Sequence, residues 1–285
     1  DEKKQYNVLV STSGDTGSAI ASAFHKAKNI KITILYPYNR VSDMQEKQIT
    51  TYSDNVMAYA FDGNFDDCQS FVKKAFIDKD MKYLNLISAN SINIARLLPQ
   101  SLYYIYTYSR LCQKYNNIVF SVPCGNCGNL TGGLIAMKLG LPIKFIACQN
   151  NNNVFINYLN TMNFNPIKST MTISNAMDVG NPSNIKRIQY IYNNNVTMMR
   201  HDIFTSYSNE KRTLEGIKKI YNKYNYIIDP HTAVAYNGTL DYKHNSTFVV
   251  VSTAHPAKFN DTIYNAIKIY SKIPDRLNVL DKIIR

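Results

Sequence analysis

The 285 residues carry 45% hydrophobic and 18% charged side chains, a globular balance that excludes a disordered tail, a collagen-like fibre and a coiled coil. The length suits one large or two modest domains. Basic residues exceed acidic ones by 32 − 20 = +12, but the lysines are scattered, and 34 Asn and 22 Tyr accompany them, the composition of A/T-rich codons. The charge therefore predicts no nucleic-acid partner, and a small anionic ligand suits it equally well. No stretch approaches the roughly 18 consecutive apolar residues of a membrane helix. The opening Asp1-Glu2-Lys3-Lys4 has no apolar signal segment, so a cytoplasmic protein is expected.

Short β-rich runs alternate with helical patterns. Asn7 to Ser11 reads as a buried strand, Thr16 to Lys28 as a helix and Lys31 to Pro37 as the next strand. Ser42 and Gln45 form a capping box that opens a short helix. Val56 to Phe61 is a strand. Asn64 is an N-cap for a helix with Asp66 and Asp67 in its first turn, where the helix dipole favours anions. Leu84 to Ala89 is a strand, followed by a long helix from about Ile92 with Pro99 as its kink. Tyr103, Tyr104, Tyr106 and Tyr108 near its end read as packing residues. Ile118 to Val122 is a strand, Leu130 to Leu139 a helix stopped by Gly140, and Lys144 to Cys148 a strand. The pattern then loosens until the β-branched run Thr247 to Thr253. Such alternation predicts an α/β fold with parallel sheets.

In open parallel sheets, ligands collect at the carboxyl ends of strands. Three glycine- or hydroxyl-rich segments follow strands here: Ser11 to Gly17, Cys124 to Asn129, and Ser252 to His255. In the middle one, Gly125 and Gly128 allow a tight turn directly before a helix. Its free N–H groups and positive helix end suit a phosphate. It is neither a P-loop nor a G-x-G-x-x-G fingerprint, and an ordinary glycine turn stays open beside the phosphate reading. Asn90 and Ser91 with Arg96 could hold a second phosphate, against the alternative of a plain N-cap and a surface arginine. The cysteines Cys68, Cys112, Cys124, Cys127 and Cys148 are odd in number and irregularly spaced. They form no disulfide framework or zinc pattern, and no metal is expected. A Cys124–Cys127 redox pair stays open beside a simpler role flanking the glycine loop.

S-T-S-G-D-T-G-S-A (11–19), S-A-N-S-I-N-I-A-R (88–96), V-P-C-G-N-C-G-N-L-T (122–131) and S-T-A-H-P-A-K-F (252–259) together resemble the threonine synthase family. So do L-Y-P (35–37) with Gln45-Glu46-Lys47, F-D-G-N-F-D-D-C-Q (61–69), S-N-A-M-D-V (174–179) and D-P-H-T-A-V-A-Y (229–236). The resemblance runs in order from about Val8 to Ile267 and is nearest the bacterial and fungal branch. It implies a pyridoxal-phosphate enzyme of the tryptophan-synthase-β-like fold (fold type II), in two lobes. Residues 1–97 would form the smaller lobe with substrate-binding loops, and residues 98–285 the larger, cofactor-binding lobe. The implied reaction converts O-phospho-L-homoserine and water to L-threonine and phosphate. By the same resemblance, Gly125, Asn126, Cys127, Gly128 and Asn129 hold the cofactor phosphate, Thr253 meets its ring nitrogen, and Asp15 approaches its 3′-oxygen. Thr12 and Ser13 take the substrate carboxylate. Thr16, Asn90, Ser91 and Arg96 take the substrate phosphate. Asp229, His231 and Thr232 line the site without an assigned role. A monomer or homodimer is expected.

The family's Schiff-base lysine lies in a motif like F-H-G-P-T-x-A-F-K-D upstream of the S-G-D-T-G loop, and this chain contains none. Lys258 belongs to the separate A-K-F motif. No catalytic residue is therefore assigned within the chain, which by itself is expected to be inactive and to be a fragment of a longer protein. A repurposed or inactive relative is one alternative. Another is a related lyase acting on hydroxy- or phospho-amino acids.

Overall fold

The computed structural model describes residues 4–278; Asp1 to Lys3 and residues 279–285 lie outside it. The chain divides into two compact units. The first comprises residues 4–93, 257–259 and 272–278, and the second residues 94–256 and 260–271.

The first unit is built on β1 (Tyr6–Ser11), α1 (Asp15–Phe24), β2 (Ile30–Pro37), α2 (Asp43–Thr50), β3 (Val56–Phe61), α3 (Phe65–Ile77) and β4 (Leu86–Ser88). Its sheet is parallel throughout, in the order β3-β2-β1-β4. Side chains alternate across a strand, and the cores follow that alternation. Val8, Val10, Ile32 and Ile34 pack on one face, Leu9 and Leu35 with Cys68 and Val72 of α3 on the other. Both expected caps form: Ser42 with Gln45 opens α2, and Asn64 with Asp67 opens α3.

The second unit contains α4 (Leu98–Leu111), β5 (Ile118–Pro123), α5 (Gly128–Lys138), β6 (Lys144–Gln149), α6 (Val154–Thr161), α7 (Ile185–Ile191), α8 (Val196–Asp202), β7 (Ile203–Tyr207), α9 (Glu210–Tyr224), α10 (Pro230–Asp241), β8 (Thr247–Val250) and α11 (Asn260–Ile267). Its parallel sheet runs β7-β6-β5-β8. Phe120, Val122 and Phe145 pack with Tyr104 and Leu134 on one face, and Val119, Ile146 and Cys148 with Val234 on the other.

The two sheets share a topology. Each chain path starts at an inner strand, steps outward twice, and returns to the far side of the first strand. The strand order therefore reverses between β1 and β4 in one sheet and between β5 and β8 in the other. Those reversal points are where a crevice opens at the carboxyl ends of the strands.

Four expected elements differ. The first helix stops at Phe24, because Lys26 takes a left-handed backbone (φ 60°). The strand expected over 84–89 shrinks to Leu86–Ser88, since a 3-10 turn runs to Leu84 and Asn85 is left-handed. The helix expected from Ile92 starts at Leu98 instead, after a separate 3-10 turn over Ile94–Arg96. Pro99 lies in its first turn, where a missing N–H costs nothing, rather than at a kink. The run 247–253 leaves the sheet at Val250.

Candidate active site

The loop after β5 carries open donors. Val122 and Pro123 bring the chain to the end of β5, and Cys124 N–H closes onto Cys148 O at 2.7 Å. Cys127 then takes a left-handed conformation (φ 56°, ψ 17°) and α5 begins at Gly128. Among the described residues, the N–H groups of Gly125, Cys127, Gly128, Asn129 and Leu130 make no hydrogen bond, although Gly125, Cys127 and Leu130 are buried. Buried backbone donors without partners are rare, and five together at a helix N-terminus form an anion cradle.

The loop is held on several sides. Asn126 Oδ1 accepts from Ser183 N at 2.6 Å, and Asn126 O accepts from Asn184 Nδ2 at 2.9 Å. The Tyr104 hydroxyl bonds the Asn129 backbone carbonyl at 3.2 Å and the Asn129 side-chain oxygen. Behind Gly125 lies the turn at 176–177. A Cβ on Gly125 would stand 2.8 Å from both Ala176 O and Met177 Cα, so only glycine fits there. Cys127 Sγ reaches Gly125 O at 3.6 Å. All five cysteines are free. The Cys127 hydrogen bond and burial hold the Cys124 thiol well above its ordinary range, and burial pushes Cys148 up to about 12. A Cys124 thiol so held resists forming the thiolate that redox exchange needs, which favours the structural reading of this C-x-x-C.

The other expected residues of this unit stand on three separate segments. Thr253 is exposed just beyond β8, and its neighbour Ser252 is hydrogen-bonded to Thr232 at 3.1 Å. Arg96 is half-buried, and burial lowers its pKa, opposed by Tyr103. Its guanidinium has no acceptor among the described residues, so a partly buried cation stands ready for an anion. Asp229 caps α10. Its Oδ1 accepts from His231 N (2.9 Å) and His231 Nδ1 (2.8 Å), and its Oδ2 from the Thr232 hydroxyl.

In the first unit, the loop after β1 is tied to itself. Thr12 Oγ1 accepts from Gly14 N (3.0 Å) and Gly17 N (2.9 Å) and donates to Gly14 O (2.9 Å). Thr12 N–H bonds Leu35 O. Asn90 spans the reversal point, accepting from Ser11 N (3.0 Å) and donating to Ser11 O. The expected ligands Thr12 and Asn90 are thus committed within the loop. The Ser13 and Thr16 hydroxyls and the N–H groups of Asp15 and Thr16 have no such partner among the described residues. Ser91 directly follows Asn90 and is half-buried. Asp15 Oδ1 receives Lys258 Nζ at 2.7 Å and Gln45 Nε2 at 3.4 Å. Sequence reasoning missed this ion pair, and it missed the clamps from Tyr104, Ser183 and Asn184. Only the A-K-F and S-N-A-M-D-V motifs hinted that those regions mattered.

Among the described residues, no group of three His, Cys, Asp or Glu side chains stands ready for a metal, and no helix is long and apolar enough to cross a membrane. Residues 1–253 match the family model described as pyridoxal-phosphate dependent enzyme. This chain belongs to the pyridoxal-phosphate-dependent enzyme family. Residues 232–283 also match the threonine synthase C-terminal model. Within the family, the chain is 42% identical to the threonine synthase of Buchnera aphidicola from Acyrthosiphon pisum over 97% of its length and 65% of the relative's. It superposes on the crystal structure of threonine synthase from Escherichia coli with a TM-score of 0.94 at 37% identity, covering 99% of this chain and 66% of that one. The pyridoxal-phosphate-bound threonine synthase from Brucella melitensis matches with a TM-score of 0.87 at 30% identity, over 99% and 67% of the two chains. The expected fold type II architecture is therefore correct. The chain spans about 65% of the length of the curated relative it matches.

Proposed function

We infer that this chain carries the cofactor- and substrate-recognition parts of a threonine synthase, which converts O-phospho-L-homoserine and water to L-threonine and phosphate. The observation that carries the reading is the row of five open N–H groups from Gly125 to Leu130 at a helix N-terminus, three of them on buried residues. That donor set fits the phosphate of pyridoxal phosphate, and the unpaired state of the donors is what a bound phosphate would repair.

When bound, pyridoxal phosphate supplies an electron sink for proton loss at the substrate's α and then β carbons. The chain's residues then divide the remaining work. Gly125, Cys127, Gly128 and Asn129 would hold the cofactor phosphate through their open backbone donors, with Asn126 in the same turn anchored by Ser183 and Asn184. Thr253 offers a hydroxyl to the ring nitrogen, which a hydroxyl, unlike a carboxylate, does not force to stay protonated. Asp15, its charge balanced by Lys258, is the residue that would meet the cofactor's 3′-oxygen. Ser13 and Thr16, with the open donors at the start of α1, bind substrate anions. Thr12 and Asn90 shape that loop, and Ser91 adds a hydroxyl beside it. Arg96, half-buried and without a protein anion, acts electrostatically on the leaving phosphate. The reading is of a cytoplasmic monomer or homodimer with a small-molecule substrate.

The family's lysine motif does not occur in these 285 residues, so the assay belongs on the native full-length protein. Borohydride reduction with pyridoxal phosphate should mark one lysine. O-phospho-L-homoserine should then yield phosphate and threonine in equal amounts. Activity on serine or threonine with none on O-phosphohomoserine overturns the reading. Absence of both activities, with no lysine trapped, leaves the alternative of a binding-only relative.

A further inference from the structure

We propose that Asp229 and His231 are positioning residues that set the height of the anion-binding loop, and that His231 does so as a neutral imidazole used as an acceptor. The proposal rests on the reading that this loop holds the cofactor phosphate.

The tautomer follows from the partners. A backbone N–H can only donate, and Ala176 N points at His231 Nε2 at 3.1 Å. Nε2 therefore carries no proton. The ring proton sits on Nδ1 and is given to Asp229 Oδ1 at 2.8 Å. The side chains of both residues are almost wholly buried, at 2% and 0% exposure. His231 thus cannot donate from Nε2. What it does is fix Ala176 in place.

Ala176 is the residue whose carbonyl, with Met177 Cα, backs Gly125 at the distance a Cβ would violate. The same carboxylate reaches a second segment. Asp229 Oδ2 accepts the Thr232 hydroxyl, and Thr232 is bonded to Ser252, next to Thr253. One buried carboxylate thereby braces both the phosphate loop and the segment assigned to the ring nitrogen. Partners that orient a ligating group typically matter nearly as much as the group itself.

The test separates the two nitrogens. His231→Asn retains a donor near Nδ1 for Asp229 but leaves Ala176 N–H without its acceptor. His231→Gln can place an oxygen near Nε2, where Ala176 points. Each variant is made in the native protein, checked by thermal melting, stripped of cofactor and titrated with pyridoxal phosphate and with pyridoxal. The ratio of the two affinities reports the phosphate loop alone. His231→Asn should lower that ratio roughly tenfold, about the worth of one buried hydrogen bond, while His231→Gln should stay within about threefold of wild type. The reverse order would mean that only the contact to Asp229 matters, and it overturns the proposal, as do two unchanged ratios. A wild-type protein with no preference for pyridoxal phosphate over pyridoxal would instead remove the reading beneath it.

Discussion

The loops after β1 and β5 occupy equivalent places in two sheets of the same strand order, yet they differ in how many donors they leave open: Asp15 N–H and Thr16 N–H after β1, five after β5. After β1, the Thr12 hydroxyl takes up Gly14 N–H and Gly17 N–H, and Asn90 takes up Ser11 N–H. After β5, five consecutive or near-consecutive donors stay open and the support comes from outside, through Ser183, Asn184, Tyr104 and the 176–177 turn. A loop that satisfies most of its own backbone keeps its shape without a ligand. A loop with open, buried donors is complete only with an anion bound. The glycines alone do not distinguish the two cases; the side-chain oxygens do.

The largest effect is expected from the support behind the open loop. Asp178 is buried and accepts from Asn150 Nδ2 (2.9 Å), Asn152 Nδ2 (3.0 Å), Thr172 Oγ1 (2.7 Å) and Thr172 N (2.8 Å). Burial pushes its carboxyl up to about 7, against the hydrogen bonds from Thr172 and Asn150. The folded state then keeps a proton that the unfolded chain releases near pH 4, so this stabilisation is present at low pH and lost as pH rises to about 7. Denaturant unfolding at a series of pH values should show a fall with a ceiling of about 4 kcal/mol over that window. Asp178→Asn should flatten it, and an unchanged slope in the variant would refute the assignment.

Next comes Gly125→Ala. Its Cβ meets two backbone atoms at 2.8 Å, so the loop or the turn must move. We expect about 1–3 kcal/mol of destabilisation and a clear loss of pyridoxal-phosphate affinity. Normal cofactor affinity would show that the loop's height is unimportant. Thr12→Val should cost a similar or smaller amount, about 2 kcal/mol, because it leaves Gly14 N–H and Gly17 N–H buried without an acceptor. Thr12→Ser should restore most of it. That pair of melting curves tests whether the first loop is self-satisfied. The smallest effect has the opposite sign. Cys127→Gly relieves a left-handed non-glycine residue and should raise stability by less than about 1 kcal/mol. Any gain would be offset in part by lost packing of the buried thiol.

Much of this was legible from residue types. The apolar, β-branched runs of β1, β2, β3, β5 and β6 and the boxes at Ser42 and Asn64 depend on neighbours in sequence, and local patterns report them. The start of α4 was misread because a proline inside a helical pattern signals either a first turn or a kink, and only the 3-10 turn at Ile94–Arg96 decides between them. β7 and the helices around it were passed over, since Ile203–Tyr207 is short and bears polar residues. In the site, the glycine turn before α5 was legible, but the letters left a phosphate cradle and an ordinary turn both open. The acceptor role of His231 did not, because its partner, Ala176, lies 55 residues away. Nor could the self-sealing of Thr12 be read, as a threonine that binds a ligand and one that binds its own loop look alike in a string of letters.

Lys258 and Asp15 are separated by 243 positions in the chain, and that distance has a consequence for synthesis. As the polypeptide leaves the ribosome, the strands of the first unit emerge early and can pair among themselves. Its aspartate, however, waits for a cation that is made only after β5 to β8 and their helices. Residues 257–259, which belong to the first unit, arrive at the same late moment. The entropy of closing so long a loop grows only with the logarithm of its length, so the delay is one of order rather than of energy. The unit begun first is finished last, and the loop after β1 gains its charge balance only after the sheet of the second unit has been translated.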